Sequence, residues 1–157
     1  MKRTFLLFGL VILGLTRFAS RCDASDLFPP KDSNLRLFGT YLDEAENQWG
    51  GGLGLDYFVT TWAGIGLSTH LEDFKGTFFD NLATELYLRV PIEKWHLAPY
   101  ALGAVGYEFG TQEWFQAVGG GVELRFKRKW GIFADYEYVF HHDRGDDSMI
   151  RLGIRIR

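Results

Sequence analysis

The 157-residue chain contains one cysteine and four prolines. A single cysteine excludes an intrachain disulfide framework and a Cys-rich zinc centre. So few prolines exclude a Pro-rich linker. There is no basic excess: the formal charge is −3 and the pI about 5.8, which argues against a nucleic-acid binder. No apolar run reaches the roughly 20 residues that a spanning helix needs, and a mean hydropathy of −0.09 is too polar for a bundle of such helices. No sustained helical stripe follows residue 30. Gly50-Gly51-Gly52 and Gly119-Gly120-Gly121 do not join a strand to a helix, so they are not phosphate loops. What is abundant is apolar and aromatic: 46% hydrophobic and 17% aromatic residues exclude a disordered chain.

The first segment reads as an export signal. Lys2 and Arg3 precede the apolar run Phe5 to Leu15, which has the length of a signal-peptide hydrophobic region. Cys22-Asp23-Ala24 places small side chains before a cut after Ala24. Arg21 directly before Cys22 argues against lipidation. The expected organisation is therefore a signal peptide over 1–24, a short extension over 25–33 and one domain over 34–157. Cleavage removes four basic and one acidic side chains together with the only cysteine.

The remainder alternates with period two, which marks strands with two unlike faces. Eight strands are predicted, over 34–42, 50–60, 63–72, 81–91, 98–110, 114–127, 130–141 and 148–157. Short connections separate them, so neighbours should pair antiparallel in an up-and-down meander. One face is apolar, for example Leu53, Leu55, Tyr57 and Val59, or Ile150, Leu152, Ile154 and Ile156. The other carries Arg36, Asp56, Glu85, Arg89, Glu108, Glu123, Arg125, Asp135, Glu137, Arg151 and Arg155, with Arg157 at the end. That makes six carboxylates and six arginines with no lysine, interspersed with Gly52, Gly54, Gly66, Gly106, Gly119, Gly121 and Gly153.

This composition decides which face is inside. A water-facing surface has no need of glycine and usually carries lysine. Arginine forks matched to carboxylates, with glycine making room, suit a crowded lumen. An eight-stranded barrel is barely wide enough for side chains to fill, so the bulky apolar face belongs outside, against lipid. In lipid the sheet must close to leave no unpaired edge. Trp62, Trp95 and Trp130 fall at one end of the meander. Trp49 and Trp114 fall at the other, with Phe78, Phe79, Phe109 and Phe140 nearby. Two aromatic belts around an apolar band are the pattern of a membrane barrel.

The segment Pro99 to Tyr107, the run Asp135-Tyr136-Glu137-Tyr138 and the alternating strand Met149 to Arg157 resemble the small eight-stranded outer-membrane β-barrels of the OmpA-like and OmpX-like group. The similarity covers about residues 33–157. The resemblance implies an all-β transmembrane barrel in a bacterial-type outer membrane, with outer-membrane lipid and the outer-membrane assembly machinery as partners. It implies termini on the periplasmic side and loops 43–49, 72–80, 111–113 and 141–147 facing outward, where a surface ligand would bind. Members of that group usually end in an aromatic residue, whereas this chain ends Arg155-Ile156-Arg157. Ile156 or an internal aromatic would have to substitute. The resemblance stops at the barrel, so no tie to the cell wall is expected.

Catalytic chemistry finds little support. His141 and His142 are adjacent and would point to opposite faces of a strand, so they do not share a metal easily. Asp143, Asp146 and Asp147 beside them read as a solvated loop. His142 with Ser148 and Asp143, or His70 with Ser68, supply residue types used by lipid-modifying barrel enzymes but match no nucleophile motif. No cofactor, metal or catalytic residue is expected. The reading is an envelope protein with a structural or surface-interaction role, its lumen plugged by arginine and carboxylate. The alternatives are a narrow pore and a soluble exported lipocalin-like barrel that binds an apolar ligand.

Overall fold

A computed structural model describes residues 27–43, 48–71, 80–141 and 145–157. The signal segment 1–24, Phe78, Phe79, His142 and Asp143 lie outside the described residues. Eight strands follow in order: β1 (Asp32–Asp43), β2 (Gln48–Phe58), β3 (Ala63–Leu71), β4 (Asn81–Arg89), β5 (Leu97–Glu108), β6 (Glu113–Lys127), β7 (Trp130–His141) and β8 (Asp147–Ile156). Each pairs antiparallel with its neighbour, and β8 closes on β1. The one helical element among the described residues is a single 3-10 turn, Glu93–Trp95, between β4 and β5.

The closed barrel agrees with the alternation, and most boundaries fall within two residues of those expected. β1 starts earlier, at Asp32, because Asp32 and Asn34 are held by arginines from the far end of the chain: Arg157 Nε lies 2.7 Å from Asp32 and Arg125 Nη2 donates to Asn34 Oδ1 at 2.7 Å. β2 stops at Phe58 because the Thr60 hydroxyl accepts the Ala63 amide at 2.9 Å and turns the chain. β4 stops at Arg89 because Pro91 has no amide to continue the ladder.

The strands are staggered. Following pairing partners round the barrel from Asp32 leads through Phe58, Gly64, Tyr87, Leu102, Gly119, Glu137 and Met149, and returns to β1 at Leu42. The circuit therefore climbs from position 32 to position 42, which tilts the strands by about 40° to the axis. Strands of 9 to 15 residues at that tilt match the length needed to cross a bilayer. Two ends result. The loop end carries the β1–β2, β3–β4, β5–β6 and β7–β8 connections. The turn end carries the start of β1, the end of β8 and the remaining turns.

The apolar face points outward along every strand. Leu55, Ile65, Leu86, Val118, Ile132, Tyr136 and Leu152 are exposed. The interior holds the charges: Arg36, Glu123, Arg125 and Arg155 are 0% exposed. Glycine is required where lumen side chains cross a neighbouring strand. A Cβ on Gly54 would stand 2.7 Å from the Arg36 guanidinium, and one on Gly106 would stand 2.2 Å from the Phe115 ring.

The β3–β4 ladder stops below the loop end, its last pair being Ser68 and Ala83. Above that point Asn81 stands in for the backbone. Its carbonyl accepts from Thr69 Oγ1 at 2.6 Å, its Oδ1 accepts from the His70 amide at 3.2 Å, and its Nδ2 lies 2.9 Å from His70 Nε2. The polar groups of both strands are thereby met by a side chain.

Candidate functional site: the lumen charge network

Strand alternation places charged side chains in the lumen, and the stagger decides which of them meet. Arg151 on β8 lies directly opposite Asp135 on β7. It grips that carboxylate with two bonds, Nε to Oδ1 at 2.8 Å and Nη2 to Oδ2 at 3.0 Å. Its Nη1 reaches across the lumen to Glu85 Oε1 on β4 at 2.7 Å, and it also pairs with Glu137. Glu85 in turn pairs with Arg36 and accepts from Tyr87 at 2.5 Å and Ser68 at 2.9 Å.

Arg36 on β1 and Arg155 on β8 are paired partners in the sheet, a like-charge arrangement that is unfavourable by itself. Asp56 on β2 offsets it by bridging them, with Oδ1 2.9 Å from Arg36 Nε and Oδ2 3.0 Å from Arg155 Nε. Arg155 continues to Glu123 on β6, which also pairs with Arg125 and lies 3.8 Å from Arg89. Tyr100 on β5 donates to Asp135 at 2.6 Å. Every strand thus contributes a side chain, β3 through Ser68 and β5 through Tyr100. Buried ion pairs hold only when geometry and hydrogen bonding are good, and the Arg151 fork on Asp135 supplies both.

Of the charges expected in the lumen, Arg36, Asp56, Glu85, Arg89, Glu123, Arg125, Asp135, Glu137, Arg151 and Arg155 join this one network. Glu108 is also buried and inward, but it lies at the loop-end mouth. There it lines a cavity of about 20 Å³, room for one water, with His70, Asn81, Phe115, His141 and Asp147. His141 Nε2 is 3.1 Å from Asp147 Oδ2 in this mouth. Ser148 faces away and shares a 2.7 Å hydrogen bond with Tyr136 on the outer surface. Ser68 is engaged by Glu85 and His70 by Asn81. These groups therefore do not converge as nucleophile and base among the described residues. Among the described residues, no group of three His, Cys, Asp or Glu could hold a metal ion.

Beyond Ser68, Tyr87 and Tyr100, two participants come from the segment expected to be an extension. Asp32 brings a further carboxylate, 3.6 Å from Arg125 and 2.7 Å from Arg157. Phe28 is 0% exposed, although its segment reads as an extension. Lys31 adopts a left-handed conformation, φ 55°, which turns the chain between Phe28 and β1. The Phe28 ring then lies 5.2 Å from the Arg89 guanidinium and 5.7 Å from that of Arg125. Arg89 meets the Phe58 ring on another side at 3.5 Å, and its Nε donates to the Thr61 carbonyl at 2.8 Å. Parity would have found the lumen aromatics Phe58, Tyr87 and Phe133, which share strand faces with Asp56, Glu85 and Asp135. No local signal marks Phe28. Replacing Phe28 by Ala is expected to cost about 2 kcal/mol, below the range for a closed core because water can refill the barrel end. Urea unfolding in detergent micelles measures it.

The five tryptophans lie at the two ends of the barrel. Trp62, Trp95 and Trp130 are exposed at the turn end, and Trp49 and Trp114 at the loop end. Trp49 rests on Tyr41 with centroids 4.9 Å apart, and Trp114 on Tyr107 at 5.2 Å.

No protein-family model and no curated protein sequence matches the chain. Solved structures do. A de novo designed transmembrane β-barrel superposes with a TM-score of 0.62 at 14% identity, covering 81% of this chain and 95% of the designed one. The N-terminal β-barrel domain of Pseudomonas aeruginosa OprF gives a TM-score of 0.58 at 14% identity, covering 78% and 96%. Neisserial surface protein A gives 0.57 at 10% identity, covering 79% and 94%. The fold is that of the small eight-stranded outer-membrane barrels.

Proposed function

We propose that this chain is an outer-membrane barrel whose lumen is closed by its arginine–carboxylate network, and that it acts as a structural or surface-interaction protein of the envelope. The observation that carries this reading is the network itself, which touches all eight strands and fills the interior with matched charge. Such a filling leaves the loop end as the place for a partner, and Neisserial surface protein A, which shares the fold, is named for a surface position. In this reading the loop end faces outward, the termini face the periplasm, and the assembly machinery inserts the barrel after export.

A refolding experiment tests the membrane reading. Urea-unfolded residues 25–157 are diluted into plain buffer and into detergent micelles, then followed by far-UV circular dichroism and by gel mobility with and without heating. β-structure and a heat-sensitive mobility shift are expected in micelles alone. A soluble folded monomer in buffer would overturn the reading. Planar-bilayer recording tests the closed lumen: no steady conductance is expected, and a stable unitary current would make the protein a narrow pore.

A further inference from the structure

Charge is distributed unevenly between the two ends. Every exposed lysine and arginine among the described residues lies at the turn end: Lys31, Lys94, Lys127, Arg128, Lys129 and Arg157. Among the described residues the exposed acid there is Glu93, while Asp32 is buried against Arg157 and Arg125. At the loop end, Asp80, Glu113, Asp146 and Asp147 are at least partly exposed, and no described lysine or arginine accompanies them.

Four of the cations form one patch. The Arg125 amide donates to the His96 carbonyl at 2.8 Å, which sets the Glu93–Trp95 turn carrying Lys94 beside the β6–β7 turn carrying Lys127, Arg128 and Lys129. Only Arg128 and Lys129 separate β6 from β7, so these charges cannot stand far out in solvent. Phe126, directly before Lys127, points outward into the apolar band, and Trp95 and Trp130 flank the cations at 62% and 48% exposure. At about 3.3 Å per residue, each cation lies within three residues of Trp95 or Trp130, and such aromatics mark headgroup depth in a membrane barrel.

We infer that this patch binds the headgroups of anionic phospholipid in the leaflet at the turn end. A basic cluster fixed at headgroup depth attracts anionic lipid more strongly than zwitterionic lipid. The short turns favour a membrane surface over an acidic protein, which would need the charges to project. The inference rests on the membrane reading proposed above.

The test uses the protein refolded into bilayers, with Trp49→Phe and Trp114→Phe so that emission comes from Trp62, Trp95 and Trp130. Quenching by brominated phosphatidylglycerol is compared with quenching by brominated phosphatidylcholine. At low salt the anionic lipid should be preferred about fivefold. The preference should fall toward unity in 0.5 M salt, where the screening length is about 4 Å, and in the variant Lys94→Gln/Lys127→Gln/Arg128→Gln/Lys129→Gln. Equal quenching by both lipids at low salt, or a preference that survives the four substitutions, overturns the inference. If that variant fails to fold, the unsubstituted chain still decides: a preference that is unchanged between low and high salt overturns the inference. A protein that does not enter bilayers at all fails the membrane reading instead.

Discussion

Replacing Arg151 by Ala is expected to lower stability by about 3–5 kcal/mol, the cost of stranding buried charge when one partner is removed. Arg151 touches Glu85, Asp135 and Glu137, so its loss leaves three carboxylates facing one another with too little positive charge between them. The measurement is urea unfolding in micelles, read by tryptophan fluorescence. Lys127→Ala, on the exposed rim, serves as the control and should change stability by less than about 0.5 kcal/mol. A cost for Arg151→Ala below about 1 kcal/mol would mean that water hydrates the freed carboxylates. The lumen would then be open, and the pore reading would replace the closed one.

The adjacent residue makes the opposite test. Leu152 points out of the barrel with 64% exposure, on the strand position next to fully buried Arg151. Leu152→Arg should cost about 2–4 kcal/mol in a bilayer, because an outward arginine near the middle of the apolar band must lie in hydrocarbon or distort it. On a water-facing surface the same change would be nearly neutral. Refolding yields and unfolding midpoints in lipid vesicles distinguish the two. A neutral Leu152→Arg would show that the apolar face does not meet lipid, whatever Arg151→Ala does. The two substitutions thus probe the two faces of one strand separately.

The network also explains why a barrel this narrow carries so much buried charge. Its carboxylates and guanidiniums join strands that are distant in sequence, such as Arg36 to Glu85 and Arg151 to Glu85. A one-residue slip of any strand that carries them would turn its charged side chains onto the outer apolar face. The charges therefore oppose a one-residue slip, while a buried pair roughly balances its own desolvation.

Much of this was legible from the residues. Side-chain direction in a strand alternates whatever the strand pairs with, so parity alone assigns Arg36, Glu85, Arg151 and their companions to one face and Leu55, Leu86 and Leu152 to the other. The glycines and the absence of lysine then say which face is crowded. Tryptophan positions follow from the same strand ends. Parity is silent about height, however, and height decides contact. The climb of the pairing circuit from Asp32 to Leu42 sums seven inter-strand offsets and the closing one, none of them a local property. It sets Asp56 between Arg36 and Arg155, and it lifts Glu108 away from the arginines to the mouth. Nor could periodicity place Phe28, because it precedes the first strand and is held by Arg89 and Arg125 from β4 and β6. The sequence by itself determined the strands, their faces and the belts, since those depend on neighbours along the chain. Which charges pair, and where Phe28 packs, only the tertiary structure decided, since those depend on how the sheet closes upon itself.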